Sequence, residues 1–303
     1  MAFKSVHSGI AASVYLCLYV IYLCFSINIV RREGLKTIYT SLVVYGVFRV
    51  SGQMCGVVFA ALGFNHWHWL IAYLVLNAEG YFVLIITSYH LIANAQYQVV
   101  GYSWIRPNKE DIKIKQQAAT SFLGKIRAKY SLARVFHLIL IPANALVISG
   151  GIMLAGADDL ASENSSVQLS RRLRVSGQSI FLFQTIVAVS LGFWCFFGEN
   201  IRHINIYGIF IASPFILTRG TFGVMSIYLD KMDYFEMSNY NENGISSTFI
   251  AFEYTLATTM EFITAVVYIS IYYISKKRQN RRAEQDEEEW HVEEKGKMDS
   301  NYS

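Results

Sequence analysis

The chain has 303 residues, of which 53% are hydrophobic and only 16% charged, with 3 prolines and a formal net charge of +4. Too few charged residues remain to cover the surface of a water-soluble enzyme of this length, so the composition excludes one and points to lipid as the solvent. The cations gather beside apolar stretches, which excludes nucleic acid and makes anionic membrane lipids the natural partner.

Taken in chain order, the first apolar stretch covers residues 8–30 and runs directly into Arg31 and Arg32. It is longer than the apolar core of a signal peptide and predicts an anchor that stays in the membrane. The second stretch, 37–64, carries Arg49 at the head of a stripe of Gly52, Gln53, Gly56 and Ala60 at helical spacing, one small and polar face. An aromatic turn, Asn65-His66-Trp67-His68-Trp69, suits a headgroup interface and leads into the third stretch, 68–92, with Asn77 and Glu79 near its middle.

Residues 93–134 form the longest connector, and 108–134 read as a helix opened by Asn108. Ile112, Ala119, Phe122, Ile126 and Tyr130 recur near a helical period between lysines, so this is either a surface helix on the inner leaflet or a solvated connector. The fourth stretch, 135–156, contains Pro142, and the sixth, 204–229, contains Pro214; bilayer helices tolerate such prolines as kinks. Between the fourth and the fifth, 177–198 with Gln184, lies Asn164-Ser165-Ser166, an acceptor triplet for N-glycosylation on Asn164. Helix six presents Ala212, Ile216, Arg219, Gly223 and Ser226 on one face. The seventh stretch, 248–274, offers Glu253, Glu261, Thr264, Ala265 and Tyr268. Beyond it, 276–303 turns from Lys276-Lys277-Arg278 to Asp286-Glu287-Glu288-Glu289 without apolar periodicity, which predicts a disordered charged tail.

A bilayer core of roughly 30 Å needs about 20 apolar residues per helix, and seven stretches meet that length. The expected fold is therefore all-α, a seven-transmembrane-helix bundle over residues 1–275. With the N-terminus outside, the cytoplasmic segments hold Arg31, Arg32, Lys36, eight Lys or Arg across 106–134, Arg202 and five across 276–282, which is 17. The outer segments hold only Lys4, Arg171, Arg172, Arg174 and Lys231, which is 5. Short cation-rich loops stay in the cytoplasm, so the tail is expected there too.

Ionisable groups at mid-membrane carry the functional signal, because each costs about 2.5–3.5 kcal/mol on insertion scales unless paired or wetted. Arg49, Glu79, Arg219 and Glu261 lie at such depths. Either they form structural ion pairs, or they line a polar cavity in which the arginines hold an anionic group, the glutamates accept protons or cations, and Gln53, Asn77, Gln184 and Glu253 add hydrogen bonds. His90, His137 and His203 share one depth but lack paired ligand spacing, so neither a metal nor another cofactor is expected. Cys17, Cys24, Cys55 and Cys195 all fall in apolar stretches and read as small buried hydrophobes. No phosphate-binding glycine loop, catalytic triad order or Cys-x-x-Cys motif occurs.

Arg31-Arg32-Glu33-Gly34, Phe48-Arg49-Val50-Ser51-Gly52, Glu79-Gly80-Tyr81, Ser213-Pro214-Phe215-Ile216-Leu217-Thr218-Arg219 and Met260-Glu261-Phe262 together resemble a fungal family of seven-helix membrane proteins of unknown function. The layout is more distantly similar to the fungal lipid-translocating exporters of the RTA type. That resemblance implies seven spans, an outside N-terminus and a fungal plasma membrane or endomembrane. Three functions follow as expectations. The first is transport or handling of a lipid-like or amphipathic small molecule, the second a cyclase-type membrane enzyme using Glu79, Glu253 or Glu261 as general acids, and the third a seven-helix receptor.

Overall fold

The computed structural model describes residues 3–63, 66, 68–107, 109–118, 132–155, 165–234, 236–241 and 244–300. Nine α-helices follow one another among them: α1 Val6–Glu33, α2 Thr40–Leu62, α3 His68–Val100, α4 Lys109–Ala118, α5 Leu132–Ala155, α6 Ser165–Phe197, α7 Ile204–Tyr228, α8 Ser247–Glu253 and α9 Thr259–Ser300. A π-helical turn, Tyr254–Thr258, joins α8 to α9 without a break, so the two form one rod. Seven of these rods are long and apolar enough to cross a bilayer, and the chain is an integral, multi-pass membrane protein. The only extended structure described is a two-rung hairpin, Tyr240–Asn241 against Gly244–Ile245.

The bundle is organised for lipid outside and polarity within. Large apolar side chains such as Val6, Ile10, Ile21 and Phe25 of α1, Leu138 and Ile141 of α5 and Trp194 of α6 face outward. In water they would form an adhesive patch; in hydrocarbon they are at rest. The interior is rich in tyrosine, and most of the phenol hydroxyls find partners, the buried Tyr22 hydroxyl being an exception. Tyr45 donates to Tyr19 (3.2 Å), Tyr89 to the Ile105 carbonyl (3.0 Å), and Tyr268 is paired with Ser88 (2.6 Å). Buried ring and satisfied hydroxyl together suit a core that water does not reach.

Helix α2 packs between α1 and α3, α6 between α5 and α7, and α9 against α7, while α3 touches α5, α6 and α7. Glycines permit the close approaches. A Cβ on Gly208 would fall 2.1 Å from Ile271 Cδ1, so α7 meets α9 backbone to side chain there. Pro214 leaves the Phe210 carbonyl without its helical donor, and the Ser213 hydroxyl supplies one at 2.8 Å. Gly34 and Gly63 adopt positive φ (88° and 73°) and stop α1 and α2.

Several boundaries differ from the sequence expectation. Helix α3 continues to Val100, and α6 begins at Ser165, twelve residues before 177. Arg171, Arg172 and Arg174 are therefore helical, not loop residues. The final rod continues as helix to Ser300 where a disordered tail is expected. Its Lys, Arg, Glu and Gln content lacks apolar periodicity yet has high helix propensity, and it prolongs a helix already nucleated in the membrane. Of the stretch 108–134, α4 accounts for Lys109–Ala118, with Ile114 exposed, and 132–134 open α5; 108, 119–131 and Asn164 lie outside the described residues.

Candidate functional site

Alternating spans place the N-terminal ends of α3, α6 and the α8–α9 rod and the C-terminal ends of α5 and α7 at one end of the bundle, the end that carries the chain's N-terminus. A cavity of about 120 Å³ opens among these five elements, with Arg49 of α2 reaching into its lining. Its apolar wall is built from Ile71, Leu74 and Val75 of α3, Val147 and Ile148 of α5 and Phe222 of α7. The facing wall is polar and consists chiefly of Arg49, Asn77, Arg219, Glu253 and Glu261, with Arg174, Gln178 and Tyr234 nearer the mouth.

At the floor two arginines share one carboxylate. Arg219 Nε donates to Glu261 Oε1 at 2.5 Å, and Arg49 Nη2 is paired with Glu261 Oε2. Arg49 also donates through Nη1 to Asn77 Oδ1 (2.6 Å) and sits 6.0 and 5.9 Å from the ring centres of Tyr19 and Tyr45. Arg219 lies 4.8 Å over the ring of Tyr81, whose hydroxyl pairs with Thr185 at 2.7 Å. All three charged side chains are buried, with Arg49 and Glu261 1% exposed and Arg219 8%. A desolvated charge survives only when paired and hydrogen-bonded, and this cluster supplies carboxylate, amide and aromatic faces together.

Helix geometry accounts for the convergence. Arg49, Gln53 and Gly56 recur at three to four residues on α2, and Ala212, Ile216, Arg219 and Gly223 do so on α7. The glycines make the space. A Cβ on Gly80 would lie 2.4 Å from Arg49 Nε, one on Gly220 2.5 Å from the Tyr81 hydroxyl, and one on Gly223 2.4 Å from Gln178 Oε1. Small residues beside long polar ones let a guanidinium reach the helix interface.

Glu253 forms the second polar station. It accepts from the hydroxyls of Tyr73 and Tyr234. Tyr234 belongs to the connection between α7 and α8, where burial, then the charge of Glu253, pushes its phenol well above the usual range and keeps it a proton donor. The same connection folds over the cavity mouth. Arg174 Nη1 donates to Asp233 Oδ1 at 3.0 Å, Asn239 Nδ2 donates to the carbonyls of Asp230 (2.5 Å) and Asp233 (2.8 Å), and the Tyr240 hydroxyl donates to the Tyr234 carbonyl.

Five of the polar residues singled out in the sequence, Arg49, Asn77, Arg219, Glu253 and Glu261, thus meet around one cavity. Gln53 is buried one helical turn from Arg49 and accepts from the Tyr254 hydroxyl at 3.1 Å, behind the cavity wall. Glu79 faces elsewhere: it is half-buried and accepts from Asn144 Nδ2 of α5 at 2.5 Å. Gln184 is buried deeper in α6 and does not line the cavity. The sequence reading leaves Arg174 among the loop cations, because the fifth stretch starts at 177, and gives Gln178 no role. Continuing the helix by one turn would have set Arg174 four residues before Gln178 on one face. It also missed Tyr73 and Tyr81, since a tyrosine in an apolar run gives no sign of the direction of its hydroxyl, and Tyr234, which stands in the charged connection after α7.

At the opposite end the rings of His90 and His137 lie 5.6 Å apart, while His203 caps α7 by accepting from the Asn205 amide at 3.2 Å. The described residues hold no group of three His, Cys, Asp or Glu side chains placed to share a metal. Compared with protein families, curated proteins and solved structures, the chain matches none.

Proposed function

We propose that this membrane protein transports or handles a lipid-like or amphipathic small molecule through the polar cavity at the N-terminal end of its bundle. The observation that carries this reading is a single chamber with an aliphatic wall on α3, α5 and α7 facing an arginine–glutamate floor. An apolar lining with a few convergent polar groups is the usual construction of a small-molecule site. An ion pair serving helix register alone needs no void beside it. The distribution of cations supports an N-terminus outside the cell or in the organelle lumen, which turns the mouth away from the cytoplasm. It gains weight from Arg174, which lies buried in the cavity wall and so is not a loop cation.

Reconstitution of the full chain in vesicles tests the proposal. Movement of a fluorescent amphiphile across the bilayer is expected with the wild-type chain. Substitution Ser226→Phe, which fills the cavity without touching a charge, is expected to abolish it while helix content is kept. Equal movement by the two proteins would contradict the proposal.

The cyclase reading rests on the same carboxylates. Glu261 is occupied by two guanidiniums and Glu253 by two phenols, so neither is placed as an acid with a proton to spare, and Glu79 lies outside the cavity. The arrangement favours binding over proton-transfer chemistry.

A further inference from the structure

The two arginines at the cavity floor are not equivalent. Arg49 is engaged by Asn77, Glu261 and two tyrosine rings, and its Nε, buried without an acceptor, is packed against Gly80. Arg219 commits only Nε to Glu261 and its flat face to Tyr81. Nothing among the described residues accepts from its Nη1 or Nη2, although the side chain is more than nine-tenths buried and lines the cavity. A buried guanidinium normally finds acceptors for all its N–H groups, and its terminal pair presents two donors in the spacing of two oxyanion oxygens. Beside it, Gln178 Oε1 is a buried acceptor without a donor. Both residues line the cavity beside Gly223, where an added Cβ would lie 2.4 Å from Gln178 Oε1 and 3.2 Å from Arg219 Nη1. The protein therefore leaves two adjacent needs unmet, a pair of acceptors for Arg219 and an O–H donor for Gln178.

We infer that the cavity takes an amphipathic oxyanion that carries a hydroxyl, such as an alkyl phosphate monoester, with its oxygens on Arg219 Nη1 and Nη2, its O–H on Gln178, and its chain along Ile71, Val75 and Phe222. This rests on the reading of the cavity as an amphiphile chamber and adds the chemistry of the head group. Glu261 fixes the guanidinium by its Nε edge and leaves the outer edge for the ligand, so Arg49 and Glu261 act as positioning residues and Arg219 as the contact. A quaternary ammonium head group supplies no acceptor to that edge.

Binding to the full-length chain in lipid nanodiscs separates the possibilities, using dodecyl phosphate, dodecyltrimethylammonium and inorganic phosphate as probes. Dodecyl phosphate is expected to bind at least ten times more tightly than the ammonium probe of equal chain length. Arg219→Gln should remove that preference, and Arg219→Lys should restore part of it. Gln178→Leu should weaken dodecyl phosphate severalfold and leave the ammonium probe unchanged, a readout that guards against an Arg219 variant that fails to fold. Equal binding of both alkyl probes, or an undiminished preference in Arg219→Gln, would overturn the inference. Inorganic phosphate binding as tightly as dodecyl phosphate would overturn it in favour of a soluble oxyanion. Failure of every alkyl probe to bind, cationic included, would instead fell the chamber reading itself.

Discussion

Glu261 is the residue on which the floor of the cavity depends, because two guanidiniums lean on its two oxygens and its side chain is wholly buried. Removing one partner of a buried ionic cluster leaves uncompensated charge, which typically costs about 3–5 kcal/mol. Glu261→Gln is expected to lower the unfolding free energy of the detergent-solubilised chain by that order, whereas Glu79→Gln, whose carboxylate meets a single amide, should lose about 1 kcal/mol. Equal effects in a denaturation series would contradict the assignment of roles.

At the other end, His203 gives a pH signature. Burial lowers its pKa below the ordinary 6.5, and its ring caps α7 by accepting from the Asn205 amide. The folded state thus resists a proton that the unfolded chain accepts, and stability is full above about pH 6.5 and falls as pH drops below it. His203→Asn keeps a capping acceptor and cannot titrate, so its thermal midpoint should decline less between pH 7 and pH 5 than that of the wild-type chain. Parallel declines would show that another group governs the acid limb. The charged residues at mid-membrane were legible in the sequence because lipid makes each one expensive. Their partners were not: Tyr73 and Tyr81 reveal their roles only when α3 is rotated into place beside α6, α7 and the last span.

Among the elements, the π-turn Tyr254–Thr258 sets the relation between Glu253 and Glu261. One extra residue per turn shifts everything before it by about 100° relative to a regular helix, and such turns recur at functional sites. Its loosened ladder is mended by side chains: the Thr259 hydroxyl donates to the Tyr254 carbonyl at 2.5 Å, and Tyr19 donates to that of Thr258 at 3.3 Å. Deleting Leu256 should restore an unbroken α-helix, turn Glu253 away from Tyr73 and abolish ligand binding while the span still inserts. Retained binding with normal insertion would show the π-turn to be incidental. No residue type in Tyr254-Thr255-Leu256-Ala257-Thr258 announces this turn, because a π-turn is imposed by packing on both sides of it. The long helices were legible from apolar length alone. The early start of α6 was hidden because Arg171, Arg172 and Arg174 resemble a loop until Arg174 finds Asp233.

For the whole molecule, the polar chamber lies at the N-terminal end, with Tyr234 of the α7–α8 connection in its lining and the arginine–glutamate cluster at its floor. The two ends differ in kind: the other gathers the cations of Arg31, Arg32, Lys276 and Lys277, where Glu33 accepts from Tyr272 and Lys276 and ties α1 to the last span.

That chamber can be addressed by chemistry at a single position. With the four native cysteines replaced by alanine, a Ser226→Cys chain in sealed, oriented vesicles should react with a membrane-impermeant thiol reagent supplied from the N-terminal side only, and dodecyl phosphate should protect it. A thiol that stays unmodified from both sides, or that is labelled at the same rate with the amphiphile present, would contradict a ligand chamber at this end of the bundle.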